Sequence, residues 1–145
     1  MATVQDIVGP KGRSVVSIVA DDSVLTAARL MNNRGIGCVV VLEDDELVGI
    51  FTERDILRRL VAERRDPATT TIREVMTAPV ITCRPEAKIE ECAALITERR
   101  IRHIPVIDDD GLCGMITSGD ILAHQVGEQA DTIQYLNNYM FDIRT

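Results

Sequence analysis

Apolar residues recur at helical spacing in two segments, "DDSVLTAARLMNN" (21–33) and "PEAKIEECAALITERR" (85–100). Each opens on acidic or capping residues, as a helix N-terminus favours. Short apolar runs follow, "CVVVL" (38–42) and "HIPVI" (103–107), with the pattern of buried strands. Asp-rich turns, "EDDE" and "DDDG", lead into "LVGIF" (47–51) and "LCGMI" (112–116). Each pair therefore predicts a hairpin. A second helix follows each hairpin, in "RDILRRLVAERR" and "GDILAHQVGEQ". A short strand is expected in front of each unit, near Val15 and near Val80.

The pattern occurs twice because the chain is a repeat. Residues 15–57 align with 80–122 without a gap, and "GIFTERDIL" at 49–57 returns as "GMITSGDIL" at 114–122. Shared residues include Ala28/Ala93, Leu30/Leu95, Arg34/Arg99, Ile36/Ile101, Val41/Val106, Gly49/Gly114, Thr52/Thr117 and Asp55/Asp120. Upstream, "TVQDIV" resembles "TIREVM", with a link to the repeat that is three residues longer in the first copy. The expected division is a first repeat at 3–63, a linker at 64–71 ("RRDPATTT"), a second repeat at 72–126 and a tail at 127–145. In the tail, "EQADTIQYLNNYMFDI" predicts a final amphipathic helix with Ile133, Leu136 and Met140 on one side. Each unit reads β-α-β-β-α and buries only one face of a small sheet. Two such units packed about a pseudo-two-fold axis give an α/β (α+β) fold.

The chain has 145 residues, enough for one compact domain or two small halves sharing a core. It is 46% hydrophobic but only 3% aromatic and has no Trp, so the core must be aliphatic. The net charge of -7 argues against general nucleic-acid binding. No apolar run approaches the roughly 20 residues a membrane helix needs. The start, "MATVQDIVGPKGR", lacks the layout of a signal peptide, and a cytoplasmic protein is expected. Cys38, Cys83, Cys92 and Cys113 have apolar neighbours and no C-x-x-C spacing. Buried, reduced thiols are expected rather than a zinc site or disulfides.

The repeated T-x-x-D, Thr52–Asp55 and Thr117–Asp120, has two readings. As structure, it caps the helix that follows. As a site, the helix start offers N–H groups to phosphate, while Asp can accept from the two hydroxyls of a ribose. Basic residues favour the second reading. "RRIRH" (99–103) gathers three Arg and a His at a helix-to-strand junction where the first copy has "RGIGC". Arg54, Arg58 and Arg59 surround the first T-x-x-D helix, and arginine suits phosphate. A solvated charged helix end is the alternative. The chain has no Walker loop, catalytic carboxylate pair, nucleophilic triad or metal-ligand cluster, so no enzyme activity is expected.

With "RIRHIPVIDDDGLCGMITSGDIL" and "RGIGCVVVLEDDELVGIFTERDIL" in view, the chain resembles the CBS-domain family over about residues 3–126. Two tandem CBS repeats form a Bateman module, and the tail resembles that of small stand-alone bacterial CBS-pair proteins. The resemblance implies a non-catalytic sensor with two clefts between the repeats. The ligand class it implies is adenosine-containing: AMP, ADP, ATP, NAD(H) or S-adenosylmethionine. Carried over, one cleft joins Thr52, Arg54 and Asp55 with Thr77, Pro79, Val80, Arg102, His103, Ile104 and Pro105. In it Asp55 would hold the ribose, and Arg54, Arg102 and His103 would face phosphate. The other joins Thr117, Ser118 and Asp120 with Ser14, Val15, Val16, Gly37, Cys38 and Val39. This second cleft departs from the family pattern, with Val40 in place of the usual proline and no counterpart of Arg102. Lys11 and Arg13 would supply its charge. The resemblance also implies a homodimer paired through helices, and a separate protein partner that receives the signal. The competing reading is an interaction scaffold whose clefts stay empty.

Overall fold

The computed structural model describes residues 2–9 and 15–141, with 135 and 137–141 as backbone. In chain order it contains α1 (Val4–Val8), β1 (Ser17–Val19), α2 (Val24–Arg34), β2 (Cys38–Glu43) and β3 (Glu46–Thr52). Next comes α3 (Glu53–Asp55), which runs on as a π-helical stretch, Ile56–Val61. The second half has α4 (Ile72–Val75), α5 (Ile89–Arg99), β4 (His103–Asp108), β5 (Gly111–Thr117) and α6 (Ser118–Phe141).

Both hairpins form, in the same register. Val40 lies opposite Ile50 and Pro105 opposite Met115, and the register shifts at Val41/Leu42 and at Val106/Ile107. The turns use residues that tolerate positive φ: Asp44 and Asp45 in one, Gly111 in the other. The lead-in strands differ. In the first half β1 runs parallel to β2, with Ile18 opposite Val41. It begins at Ser17, after the expected Val15. In the second half the expected strand near Val80 is reduced to one bridge, Cys83 with Val106. The cause is two prolines. Val40 N donates to Val16 O and Ala20 N to Leu42 O, both at 3.2 Å. The matching positions are Pro105 and Pro85, which have no N–H to give.

Two cores result, aliphatic as expected except for the buried Phe51 in the first. One holds Ile18, Val24, Val39, Val41 and Phe51, and the other Ile89, Cys92, Ile104, Val106 and Ile116. Each core is completed by the leading helix of the other repeat. Ile72 and Val75 of α4 are wholly buried in the first core, and Val4 and Val8 of α1 are buried in the second. The backbone repeats this exchange bond for bond. Ile72 N donates to Asp22 O (2.8 Å) and Arg73 N to Ala20 O (2.9 Å). Val4 N donates to Ala87 O and Gln5 N to Pro85 O, both at 2.9 Å. Both leading helices open on a capping box, Thr3 with Asp6 and Thr71 with Glu74. Arg73 adds ion pairs to Asp21 and Glu43, but all three side chains are substantially exposed and water screens them. The buried Ile72 and Val75, worth about 1.5–3 kcal/mol each, dominate the attachment. The 64–71 segment is also held down: Thr70 is buried and its carbonyl accepts from Val24 N at 2.9 Å.

The tail does not form a helix of its own. α6 is continuous from Ser118 to Phe141, so the second helix and the expected tail helix are one. Ile133 and Leu136 are exposed on it. The Met140 side chain lies outside the described residues.

The exchanged helices press on the hairpins at the two shared glycines. A Cβ at Gly49 would lie 2.5 Å from Met76 Sδ and 3.2 Å from Thr77 O, and one at Gly114 would fall on Val8 Cγ1. We expect Gly114→Ala to cost about 1–3 kcal/mol by overpacking. Thermal unfolding should show the midpoint lowered by roughly 3–10 °C. Adding Val8→Ala should recover part of the loss, and a double variant no better than additive would refute the contact.

Candidate functional site

Each T-x-x-D closes a capping box at the start of its helix. Thr52 N donates to Asp55 Oδ2 at 3.0 Å, and Asp55 N to Thr52 Oγ1 at 3.4 Å. Thr117 N donates to Asp120 Oδ2 at 2.9 Å, and Asp120 N to Thr117 Oγ1 at 3.0 Å. The two carboxylates differ in their surroundings. Asp55 is 5% exposed, and its Oδ1 accepts from Thr77 Oγ1 at 2.9 Å. Asp120 is half-buried.

The strands bring two further groups to these helix starts. In register, Cys38 lies opposite Thr52 and His103 opposite Thr117. Burial, with Asp55 nearby, pushes the Cys38 thiol up to about 12, so it stays protonated at neutral pH. Burial and the neighbouring Arg102 hold His103 below its ordinary value, while Glu53 and Asp120 pull it the other way. His103 thus feels a carboxylate from each repeat: Glu53 opens α3, and Asp120 lies in the first turn of α6.

One cross-repeat bond ties this region together. Arg54 Nη1 donates to Arg100 O at 2.8 Å. Arg100 ends α5 in the left-handed region, φ 54, where the first repeat uses Gly35 at φ 63. A non-glycine residue is strained there. Beyond it, Ser118 N donates to Arg102 O at 2.9 Å, as Glu53 N does to Gly37 O at 3.0 Å. A Cβ at Gly37 would sit 3.0 Å from Glu53 Oε1, so the exposed Glu53 side chain would have to shift slightly for a larger residue. The short Ser118 at the matching place is compatible with an arginine, and the Arg102 side chain is exposed.

The residues expected from the sequence therefore sort as follows. Thr52, Asp55 and Thr77 are hydrogen-bonded together, and Arg54 joins them to the stretch that carries Arg102 and His103. Pro79 is exposed and Val80 half-buried. The Ile104 and Pro105 side chains are fully buried, so they can offer a ligand only backbone. In the other group, Thr117, Ser118 and Asp120 sit beside Arg102 and His103. Gly37 and Cys38 lie against Glu53 and Thr52 of their own repeat. Val39 is wholly inside the first core, and Val15 and Val16 are half-buried. Lys11, Arg13 and Ser14 lie outside the described residues. Sequence reasoning missed Glu53, and it read Arg100 in "RRIRH" as a charge rather than as the carbonyl that accepts from Arg54. The Gly37/Arg102 difference between the repeats was the available signal for Glu53.

None of the four cysteines forms a disulfide, and Cys83 lies beside Cys92 and Cys113 in the second core. Among the described residues no cluster of His, Cys, Asp or Glu could hold a metal ion, and no helix is long and apolar enough to cross a membrane.

This repeated unit has known counterparts. The family model for the CBS domain matches residues 4–62 and again 72–127. The chain belongs to the CBS-domain family. The CBS protein CBSX3 of Arabidopsis thaliana, described as mitochondrial, is 37% identical over 95% of this chain and 71% of its own length. The solved structure of a CBS-domain protein of Burkholderia ambifaria, assigned to signal transduction, is 37% identical with a TM-score of 0.84. That match covers 88% of this chain and 96% of the other. A hexameric CBS-CP12 protein from bloom-forming cyanobacteria is 33% identical with a TM-score of 0.74, over 84% of this chain and 70% of that one.

Two outcomes test the CBS site without ligand. Asp55→Ala removes the cap and the Thr77 bond from a buried position, and should lower stability by about 1–2 kcal/mol in chemical denaturation. Asp120→Ala, half-exposed, should cost less; equal losses would contradict the difference in burial.

His103 gives a pH signature. Its folded pKa lies below the ordinary 6.5, so the unfolded chain binds its proton first as pH falls. The stability owed to neutral His103 is present above about pH 6.5 and is lost as pH drops through 6.5 toward the folded value. His103→Gln should flatten the denaturation midpoint against pH between about 5 and 7. An unchanged slope would exclude His103 as its source.

Proposed function

We propose that this CBS pair is a non-catalytic regulatory module that binds an adenosine-containing ligand between its repeats and passes the signal to a separate protein. AMP, ADP, ATP, NAD(H) and S-adenosylmethionine are the candidate ligands. The observation that carries the reading is the bond from Arg54 to Arg100 O, which ties the start of α3 to the stretch bearing Arg102 and His103 beside the start of α6. Net-acidic as the chain is, an arginine from each repeat, Arg54 and Arg102, stands in this region with the imidazole of His103, and arginine suits phosphate. A phosphate bound there would touch both repeats and favour one relative arrangement over another. Asp55 would accept ribose hydroxyls by giving up its bond from Thr77, whereas Asp120 is more open. The cytoplasmic setting expected from the sequence goes with this reading, supported by four cysteines that form no disulfide. A homodimer is the proposed assembly, in keeping with an oligomeric relative.

A second reading has an observation of its own. Thr52 and Asp55 cap each other, and Asp55 also accepts from Thr77. That arrangement suits a scaffold whose first motif is only a helix cap.

Thermal unfolding with AMP, ADP, ATP, GMP, NAD, NADH and S-adenosylmethionine, each near 1 mM, separates the two. A ligand at about 100 times its dissociation constant adds roughly 2.7 kcal/mol. The midpoint should then rise by about 5–10 °C with an adenine ligand and not with GMP. Arg102→Ala should abolish most of a phosphate ligand's shift. No shift with any compound, in protein shown to be nucleotide-free, would favour the scaffold.

A further inference from the structure

Three cysteines stand together in the second core. Cys92 and Cys113 are buried in it, and the half-buried Cys83 packs against it. The first repeat fills the same three positions with hydrocarbon, Ile18, Ala27 and Val48. Within the trio, the Cys83 and Cys92 side chains hydrogen-bond to each other, with Cys113 also near Cys83.

The hydrogen-bonded pair spans two elements. Cys92 lies near the start of α5. Cys83 lies in the lead-in segment, where Cys83 N donates to Pro105 O at 3.1 Å and Ile107 N to Cys83 O at 2.9 Å. The matched segment of the first repeat is the strand β1, with ladder bonds that Pro85 and Pro105 deny to the second. The thiol pair thus sits where the backbone attachment is weakest, and a bond between the two sulfurs would fasten that segment through its side chain.

We propose that Cys83 and Cys92 are a redox-modification site: exchange with a low-molecular-weight disulfide of the glutathione class joins them reversibly and clamps the lead-in segment of the second repeat to α5. The Cys83 thiolate attacks the reagent, whose S–S bond breaks to leave a mixed disulfide and one thiolate. The Cys92 thiolate then attacks the Cys83 sulfur, closes the internal disulfide and releases the second thiolate. The chain gives up two electrons and two protons, and the reagent is reduced to two thiols. In the closed fold both cysteines are guarded, since burial holds each thiol above its ordinary value and so protonated. Opening of the lead-in segment breaks only the bonds of one bridge, exposes Cys83 to water and lets it ionise. A transient bond of this kind is the form that disulfides take in a reducing compartment. The clamped segment also carries Pro79 and Val80, so the modification would act on one edge of the proposed cleft, but the inference does not rest on any ligand.

The test applies oxidised glutathione to the folded full chain at about pH 8, where an exposed thiol is partly ionised. Remaining thiols are then alkylated, and the chain is cut with trypsin for mass spectrometry. Trypsin cuts after Lys88, between the two cysteines. Wild type should yield one disulfide joining the Cys83 and Cys92 peptides, reversed by dithiothreitol. Cys113→Val, which installs the first repeat's residue, should still form it. Cys92→Ala, also taken from the first repeat, should stop at the mixed disulfide on Cys83. In oxidised wild type the Cys83 and Ile107 amides should exchange about tenfold more slowly, or slower still, than in the reduced chain. A folded wild type that gives only glutathione adducts, that joins Cys83 to Cys113 in their place, or that stays fully reduced overturns the pairing. Unchanged amide exchange in a chain bearing the Cys83–Cys92 bond overturns the clamp.

Discussion

The fit of each leading helix against the hairpin of the opposite repeat is the contact on which the rest depends. α1 and α4 are too short to be stable alone, since an isolated helix of one turn does not repay its nucleation. They persist because Val4, Val8, Ile72 and Val75 vanish into cores built by the other half. Gly49 and Gly114 make the approach possible by having no side chain. Neither core is complete without the exchange. The exchange also sets the geometry of the site: Thr77, directly after α4, reaches Asp55 because α4 is docked on the first hairpin.

Much of this fold was legible in the sequence, for physical reasons that differ by element. The hairpins and the helices α2 and α5 announce themselves through periodicity and Asp-rich turns. The duplication predicts the pseudo-symmetry. The exchange of α1 and α4 was not legible, because a four- or five-residue helix has too few residues for a periodic signal and its partner is distant in sequence. The missing second lead-in strand could have been read from Pro85 and Pro105, but only once the hydrogen bonds of Ala20 and Val40 were known. The continuity of α6 was close to legible, since the two helices expected at "GDILAHQVGEQ" and "EQADTIQYLNNYMFDI" share Glu128 and Gln129.

The candidate site was legible as an inventory and less so as an arrangement. Thr52, Asp55, Thr117 and Asp120 were singled out, and all four serve at helix starts. Sequence alone cannot distinguish a buried, fully bonded Asp55 from a half-open Asp120. It predicts buried strands at "CVVVL" and "HIPVI", but not that Val39 and Ile104, carried over as site residues, are wholly inside the cores. In a β-strand that faces two packed layers, neighbouring apolar residues are chemically alike and only the packing tells them apart.

The two prolines give the halves unequal resistance to local opening. The segment before α2 is clamped to β2 by a ladder of backbone bonds, and the segment before α5 by the bonds of one bridge. Opening the second therefore breaks fewer bonds and belongs to the low-energy end of the fluctuations a native protein samples. Amide protons around Cys83 report that opening, and those around Ile18 stay locked longer. The molecule is nearly symmetric in shape and asymmetric in compliance, with its softer edge on the half that also carries Arg102 and His103.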